Sequence, residues 1–187
     1  TTRAVMNFSD ANSTVGVGIG CIGNNHVFLK DSTEKVRIQG SGGISFNGDT
    51  AAANALNDYE EGTHVTALVG SGSVYSDANG LSYVKVGNVV TVSGQIRIQT
   101  GDAGDIQLTL PFSAGSNAND ASHNFVGSLN TYNSTIHASS TAQGICTQIG
   151  AGTNHVSFMA TWNDSPWTAL PTTANGYYRF TITYFTA

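Results

Sequence analysis

The side chains best suited to binding a ligand are concentrated in one short segment, residues 161–171. This segment holds both tryptophans of the chain and two of its three prolines. An indole face can cover the apolar C–H side of a sugar ring, while Asn and Asp side chains hydrogen-bond to hydroxyl groups. Prolines stiffen a loop and reduce the entropy that it loses on binding. The segment is therefore a candidate glycan-binding site, in which Trp162, Asn163, Asp164 and Trp167 would contact the sugar.

A second candidate is the Asn- and Ser-rich stretch 117–133. It offers imidazole, amide and phenol groups from His123, Asn124, Tyr132 and Asn133. No Asp, Glu, Lys or Arg occurs between residues 121 and 163, so the surface built from this part of the chain is polar and nearly uncharged. Such a surface suits a neutral glycan, because Asn, Gln, Ser and Thr supply paired donors and acceptors.

Each candidate has a structural alternative. Trp162, at the end of a predicted strand, would pack inside a β-sandwich, and Trp167 would seal a contact between subunits. Residues 117–133 would be a long mobile loop, because stretches rich in Ser, Asn and Gly usually form turns.

The sequence offers little for catalysis, and we predict no catalytic residue. Cleavage of a glycan normally needs two carboxylates roughly 5 to 10 Å apart. Glu60 and Glu61 are adjacent, so in an extended segment they point to opposite faces and are expected to accept structural hydrogen bonds. Asp102, Asp105 and Asp120 lie in turn-like sequence, where Asp bonds to its local backbone.

No cofactor is predicted, and metal binding has weak support. The five histidines lack metal-ligand spacing within one chain. One exception would arise by symmetry, since His26 on a three-fold axis would supply three ligands at one level. Cys21 and Cys146 lie far apart and are expected to be buried free thiols.

Composition limits the classes of protein to which the chain can belong. Gly, Ser, Thr and Asn make up 80 of 187 residues and charged residues only 10%, a balance that opposes helices and favours strands and turns. The chain has a net charge of −5 and no basic cluster, so we do not expect it to bind nucleic acid. Apolar runs are too short to insert into a membrane. Because the sequence begins at Thr1 without an initiator Met, we expect it to be a piece of a longer chain.

The first fifty residues predict short strands that cannot form a core alone. Apolar-alternating runs recur about every nine residues, at 15–19, 26–29, 36–39 and 44–46. Strands this brief bury too little to offset a backbone ordering cost of about 1–2 kcal/mol per residue. Identical chains wound about one axis would cover them and leave charged residues such as Lys30, Glu34 and Arg37 in solvent.

The rest of the chain predicts a β-sandwich of jelly-roll type. Residues 49–58 favour one or two helical turns, and clean strands follow from residue 63. Gly87-Asn88 is a two-residue hairpin signal between two of these strands. The predicted strands are 81–86, 89–99, 105–110, 123–129, 143–149, 155–161 and 177–185.

A sequence motif at residues 57–63 resembles one found in a known protein family. The motif is Asn57-Asp58-Tyr59-Glu60-Glu61-Gly62-Thr63, with Gly-Ile-Ser-Phe at 43–46 before it and the segments 83–94 and 108–112 after it. In this part the chain resembles the C-terminal region of tail fibres and tailspikes of tailed bacteriophages. It departs in having Asn57 for the first acid of the motif and His64 in place of an aromatic residue.

The resemblance implies an all-β, intertwined homotrimer on the virion, extracellular when it acts on a host. Residues 1–50 would be a fibrous β-shaft, 51–62 a short helical or loop junction, and 63–187 a jelly-roll-like β-sandwich head. Upstream fibre segments would precede the shaft, and the head would bind a bacterial surface polysaccharide or lipopolysaccharide. The alternatives are a structural trimerisation or cap domain and a glycan depolymerase.

Overall fold

The chain folds almost entirely into β-strands. The structure, a computed structural model, describes residues 3–12, 16–101, 104–116, 124–134, 142–162 and 166–186. Strands and isolated β-bridges account for 62% of the described residues, and no α-helix occurs among them. The expected all-β class is confirmed. The chain divides into two compact units, Thr1–Tyr59 and Glu60–Ala187.

The first unit is a five-stranded antiparallel meander in which each strand pairs with the next along the chain. Three of its strands match the predicted runs closely, and β2 lies slightly further along the chain than predicted. The strand at the N-terminus is not among the predicted runs. The strands are β1 (Arg3–Phe8), β2 (Val17–Ile22), β3 (Asn25–Lys30), β4 (Thr33–Ile38) and β5 (Ile44–Phe46).

Cross-strand register places most apolar side chains of this meander on one exposed face. Residues that pair directly lie on the same face of a sheet. One row runs Met6, Ile19, Phe28, Val36 and Phe46, across all five strands. A parallel row runs Ala4, Cys21, His26, Ile38 and Ile44. We call these two rows the apolar face; four of its side chains, Met6, Ile19, Phe28 and Phe46, are 65%, 49%, 40% and 55% exposed.

The opposite face of the meander is buried at its β3 and β4 strands, and it corrects one prediction. Val27 and Leu29 are buried there. Arg37, expected in solvent, is also buried, and its guanidinium forms two hydrogen bonds to the Glu34 carboxylate, at 2.7 and 2.6 Å. The Glu34 carboxylate compensates the Arg37 charge, and its hydrogen bonds raise the pKa of Arg37. The apolar stem of the arginine can therefore lie against the sheet.

The expectation of buried thiols is wrong. Cys21 is exposed, and Cys146 of the second unit is half-buried; both thiols are free. The one or two helical turns expected in residues 49–58 are a single turn of 3-10 helix, Ala52–Asn54. Asp49 accepts a hydrogen bond from the Ala51 amide, and Leu56 then pairs with Ile44, which returns the chain to the sheet before a helix can extend.

The second unit is one curled antiparallel sheet. Its strand order is β10-β13-β12-β11-β15-β9-β8-β6, and two short strands, β14 and β7, pair with β13 and β9. The predicted hairpin is confirmed, because Val86 pairs with Val89 around a turn in which Gly87 has φ of 57°. The strands are β6 (Tyr59–Val65), β7 (Ser73–Val74), β8 (Gly80–Val86), β9 (Val89–Thr100), β10 (Gln107–Thr109), β11 (Asn124–Tyr132), β12 (Ala142–Gly150), β13 (His155–Trp162), β14 (Thr168–Ala169) and β15 (Tyr177–Phe185).

Ring contacts in the interior show how strongly the sheet curls. Phe158 of β13 and Phe180 of β15 have ring centroids 5.3 Å apart, although two strands separate them in the sheet. In a flat sheet these strands would be about 14 Å apart. Both rings are buried, and they enclose a sandwich-like core together with Tyr178, Ile182 and Tyr184.

The two ends of the curled sheet meet at the residues that follow β6. Leu68 forms a β-bridge with Leu108 of β10, and the Val69 amide donates to the Gln107 carbonyl. The Thr66 hydroxyl donates to the Thr109 carbonyl at 2.8 Å, and Thr66 is buried. We call these contacts the sheet closure. They satisfy backbone groups that an open sheet edge would expose.

Candidate functional site

The outer surface of β11 carries residues from one of the two predicted binding segments. Alternate residues of this strand face outward, and all five of them are exposed: Asn124, Val126, Ser128, Asn130 and Tyr132. Successive side chains on one face of a strand are about 7 Å apart, so the row spans about 27 Å. β11 lies in the middle of the sheet order, between β12 and β15, and its outer row therefore connects two different surfaces.

A groove crosses the surface at the Asn124 end of β11. Two depressions, of about 500 and 380 Å³, share Asn124, Gln148 and Met159 in their walls and form one groove. We call it the Trp167 groove. Val126 and Trp167 also line the first depression. The second is also lined by Asp105, Gln107, His155 and Ser157.

Strand pairing positions the walls of the Trp167 groove. Gln107, Ser157 and Gln148 pair in register across β10, β13 and β12, so their side chains form one polar row. Met159 lies two residues after Ser157 on β13 and pairs with Ala169 of β14. This short pairing holds residue 167 beside the sheet, and Trp167 remains 56% exposed next to Met159 and Val126.

The groove combines one aromatic surface with several amides and hydroxyls. Trp167, Met159 and Val126 supply apolar area, and Asn124 and Gln148 supply both donors and acceptors. Ser157 and His155 extend the polar wall. Asp105 is the one carboxylate among the described residues that line it. An aromatic face beside uncharged polar groups can bind a sugar ring by stacking and hydrogen bonds.

The structure brings together two of the predicted contacts and separates others. Asn124 and Trp167, from the two segments, line the same groove. Tyr132 and Asn133 lie at the far end of β11, where the Asn133 side chain donates to the Asn175 carbonyl. His123, Asn163 and Asp164 lie outside the described residues, and Trp162 is the last residue of β13, where it pairs with Ala142.

Sequence reasoning misses Gln148, Met159, Ser157 and Gln107. Each lies at an outward position of an alternating strand, and that alternation is the signal that could have found them. Alternation shows that a residue faces outward, but it does not show which strands are neighbours.

The other predicted polar sites are dispersed. Glu60 accepts a hydrogen bond from the Tyr83 hydroxyl, a structural role like the one expected, although the donor is a phenol rather than a backbone amide, Ser or Thr. His26 is exposed on the apolar face of the first unit. Within the described ranges, no group of three or more His, Cys, Asp or Glu side chains is arranged to hold a metal ion.

Comparisons with family models, with curated proteins and with solved structures found no match for the chain. No helix among the described residues has the length and apolar character needed to cross a membrane.

Proposed function

We propose that this chain is the distal domain of a bacteriophage tail fibre, and that it attaches the virion to its host by binding a cell-surface glycan in the Trp167 groove. The observation that carries the proposal is the meeting of Trp167 and Asn124 in one open groove. These residues come from separate segments, each of which is a glycan-binding candidate by its side-chain chemistry alone. The phage context comes from the resemblance of the junction motif.

The walls of the groove favour a neutral part of a glycan. The described lining contains one carboxylate, Asp105, and no Lys or Arg. The exposed indole provides a stacking surface, and Gln148, Gln107 and Ser157 form a row that can follow successive hydroxyl groups along an extended chain. The sheet part of the groove lies across four neighbouring strands, β10 to β11, which span about 14 Å, enough for two or three sugar rings.

The apolar face supports assembly from copies of the chain. Its two rows contain no Asp, Glu, Lys or Arg, so the same rows of identical chains can pack together without repulsion between such charges. Contiguous exposed apolar surface of this kind marks an interaction site. We propose that the first unit is a shaft segment whose apolar face is covered by two other copies; the number three comes from the family resemblance. The jelly-roll-like description of the head also remains a proposal.

Binding without cleavage fits the groove better than hydrolysis does. A glycosidase uses two carboxylates on either side of the scissile bond, and the described lining supplies Asp105 alone. A depolymerase would release oligosaccharides from its substrate. A trimerisation or cap domain would assemble but bind no glycan. These three functions are separated by one experiment.

The experiment is binding of the purified chain to an array of bacterial surface glycans, with analysis of the supernatant for released products. We expect binding to at least one glycan, no released oligosaccharide, and about tenfold weaker binding by Trp167→Ala, equivalent to about 1.4 kcal/mol. Trp167→Phe keeps an aromatic ring and is expected to retain most of the affinity. If no glycan binds, or if Trp167→Ala binds as well as the natural chain, the proposal is wrong.

A further inference from the structure

The second unit carries a pair of neighbouring arginines. The basic residues of this unit are Lys85, Arg97 and Arg179, and the pair consists of the two arginines. Tyr177 of β15 pairs with Arg97 of β9, and Arg179 lies two residues further along β15. The two arginines are therefore diagonal neighbours on the same face of the sheet, about 7–8 Å apart at their backbone positions.

Polar and aromatic side chains surround these two arginines. One row contains Arg97, Tyr177 and Tyr132, and the next contains Gln95, Arg179 and Asn130. We call these six residues the arginine face. A shallow depression of about 410 Å³ lies on it, lined by Arg179, Gln95 and Asn130 and by the neighbouring hydroxyls of Ser93, Ser128 and Thr181.

Uncharged partners hold both guanidinium groups in place. The Arg179 Nε donates to Gln95 Oε1. The Arg97 Nη2 donates to Asn175 Oδ1 at 2.7 Å, and its guanidinium lies over the rings of Tyr75 and Tyr177, at 4.2 and 5.1 Å. These contacts orient the arginines without neutralising them.

Neither arginine forms an ion pair with a carboxylate in the described part of the chain. The ion pair among the described residues joins Arg37 and Glu34, and it lies in the first unit. The Nε of Arg97 is buried and has no hydrogen-bond partner in the described ranges. In a chain with a net charge of −5, two ordered and uncompensated arginines on an open face are therefore arranged to receive an anion.

We propose that the arginine face binds the carboxylate of an acidic saccharide. Arginine matches the planar geometry of a carboxylate, and the hydroxyls and amides of the depression can pair with sugar hydroxyl groups. Tyr132, 73% exposed and 6.0 Å from the Tyr177 ring, supplies a stacking surface for a sugar ring. Two arginines without a lysine beside them are too few to follow a nucleic-acid backbone.

The saccharide class rests on the proposed function, whereas the anion site itself does not. The arginine face and the Trp167 groove use opposite ends of β11 and share none of the residues named here. A receptor with both neutral and acidic sugars would contact both surfaces through the outer row of that strand.

The test is a titration of the chain with a panel of uronic-acid oligosaccharides and with their methyl esters, which keep the sugar but lose the charge. We expect at least one acid to bind tenfold or more tightly than its ester, with an affinity that falls as salt is raised. Arg179→Gln is expected to lose that tenfold preference. Arg3→Gln, a change at an exposed arginine of the first unit, should keep it, and melting curves check that both variants fold.

The outcomes separate the two proposals. Equal binding of acid and ester, or an unchanged preference in Arg179→Gln, overturns the anion site even if Trp167→Ala still abolishes binding of a neutral glycan. Inorganic phosphate that competes as tightly as the oligosaccharide overturns the acidic-saccharide assignment, because the face would then be a general anion site. Preference for the acid that depends on Arg179 supports the site even where no neutral glycan binds.

Discussion

Gly127, at the centre of β11, shows how tightly a single residue can be constrained in this sheet. A Cβ atom at this position would collide with the Thr181 carbonyl and would lie 2.6 Å from the Thr147 hydroxyl and 2.7 Å from Ile182 Cβ. Backbone and buried side chains cannot move aside easily. Glycine is therefore required at this point because of close packing, and both proposed sites depend on the strand that contains it.

Gly127→Ala is expected to destabilise the second unit by about 1–3 kcal/mol, the usual cost of overpacking. The matched control is Gly80→Ala, since a Cβ at Gly80 meets nothing within 4 Å and the residue has no positive φ. Denaturant unfolding of the two variants measures the difference. Equal stability of both would mean that β11 shifts freely, contrary to the packing described here.

At the residue scale, sequence reasoning can select side chains by type but cannot group them. Trp167 and Asn124 are candidates by their chemistry, and they line one groove. Tyr132 belongs to the same predicted segment as Asn124, yet it lies at the other end of β11, beside Tyr177. Alternation reveals which residues face outward, whereas strand order, which decides what is adjacent, is set by long-range pairing.

A histidine beside the sheet closure makes the second unit sensitive to acid. His64 of β6 is half-buried, and its Nε2 lies 3.1 Å from the Thr109 hydroxyl. Burial lowers the pKa of His64 below its ordinary value of about 6.5. The folded protein therefore favours the neutral ring. This preference for neutral His64 stabilises the folded protein. The stabilisation is fully present above pH 6.5 and is lost as the pH falls below that value toward the pKa of His64 in the folded protein.

We accordingly expect the melting temperature of the natural chain to fall more steeply than that of His64→Gln when the pH is lowered from 7.5 to 5. Glutamine can still pair with Thr109 but does not titrate in this range. Thermal melting at several pH values is the measurement. Parallel curves for the two proteins would show that His64 does not carry the acid sensitivity.

Most strands of both units can be predicted from alternation and turn residues, and the Gly87 hairpin is predicted together with its turn. Two regions are predicted less well. The sequence predicts a junction where most of β6 lies, because residues 59–65 lack a clean apolar alternation. Residues 49–58 have helix propensity, but the helix stops after one 3-10 turn because Leu56 pairs with Ile44. In both regions, contacts distant in sequence decide the conformation.

For the whole molecule, the main question is what covers the apolar face of the first unit. This meander has few buried apolar residues, chiefly Val27 and Leu29, and its larger apolar side chains are exposed. The shortness of its strands is itself enough to predict this deficit of buried area. A face that is apolar, continuous across five strands and nearly free of charge is expected to be buried against copies of itself.

Charge introduced on this face should therefore prevent assembly. Ile19, in the central row and 49% exposed, is the position for the variant Ile19→Lys. Asn7→Lys, at an exposed residue of β1 on the opposite face, is the matched control. Because Ile19 is already half in solvent, the single chain should tolerate the change. We expect the first variant to sediment as a single chain and the control to sediment like the natural protein.

Sedimentation equilibrium of the natural chain tests the central claim most directly. The account predicts one species of three times the 19.4 kDa chain mass, stable on dilution through the micromolar range. A monodisperse species of 19.4 kDa that melts cooperatively would contradict it, because the apolar face would then be stable in water without a partner.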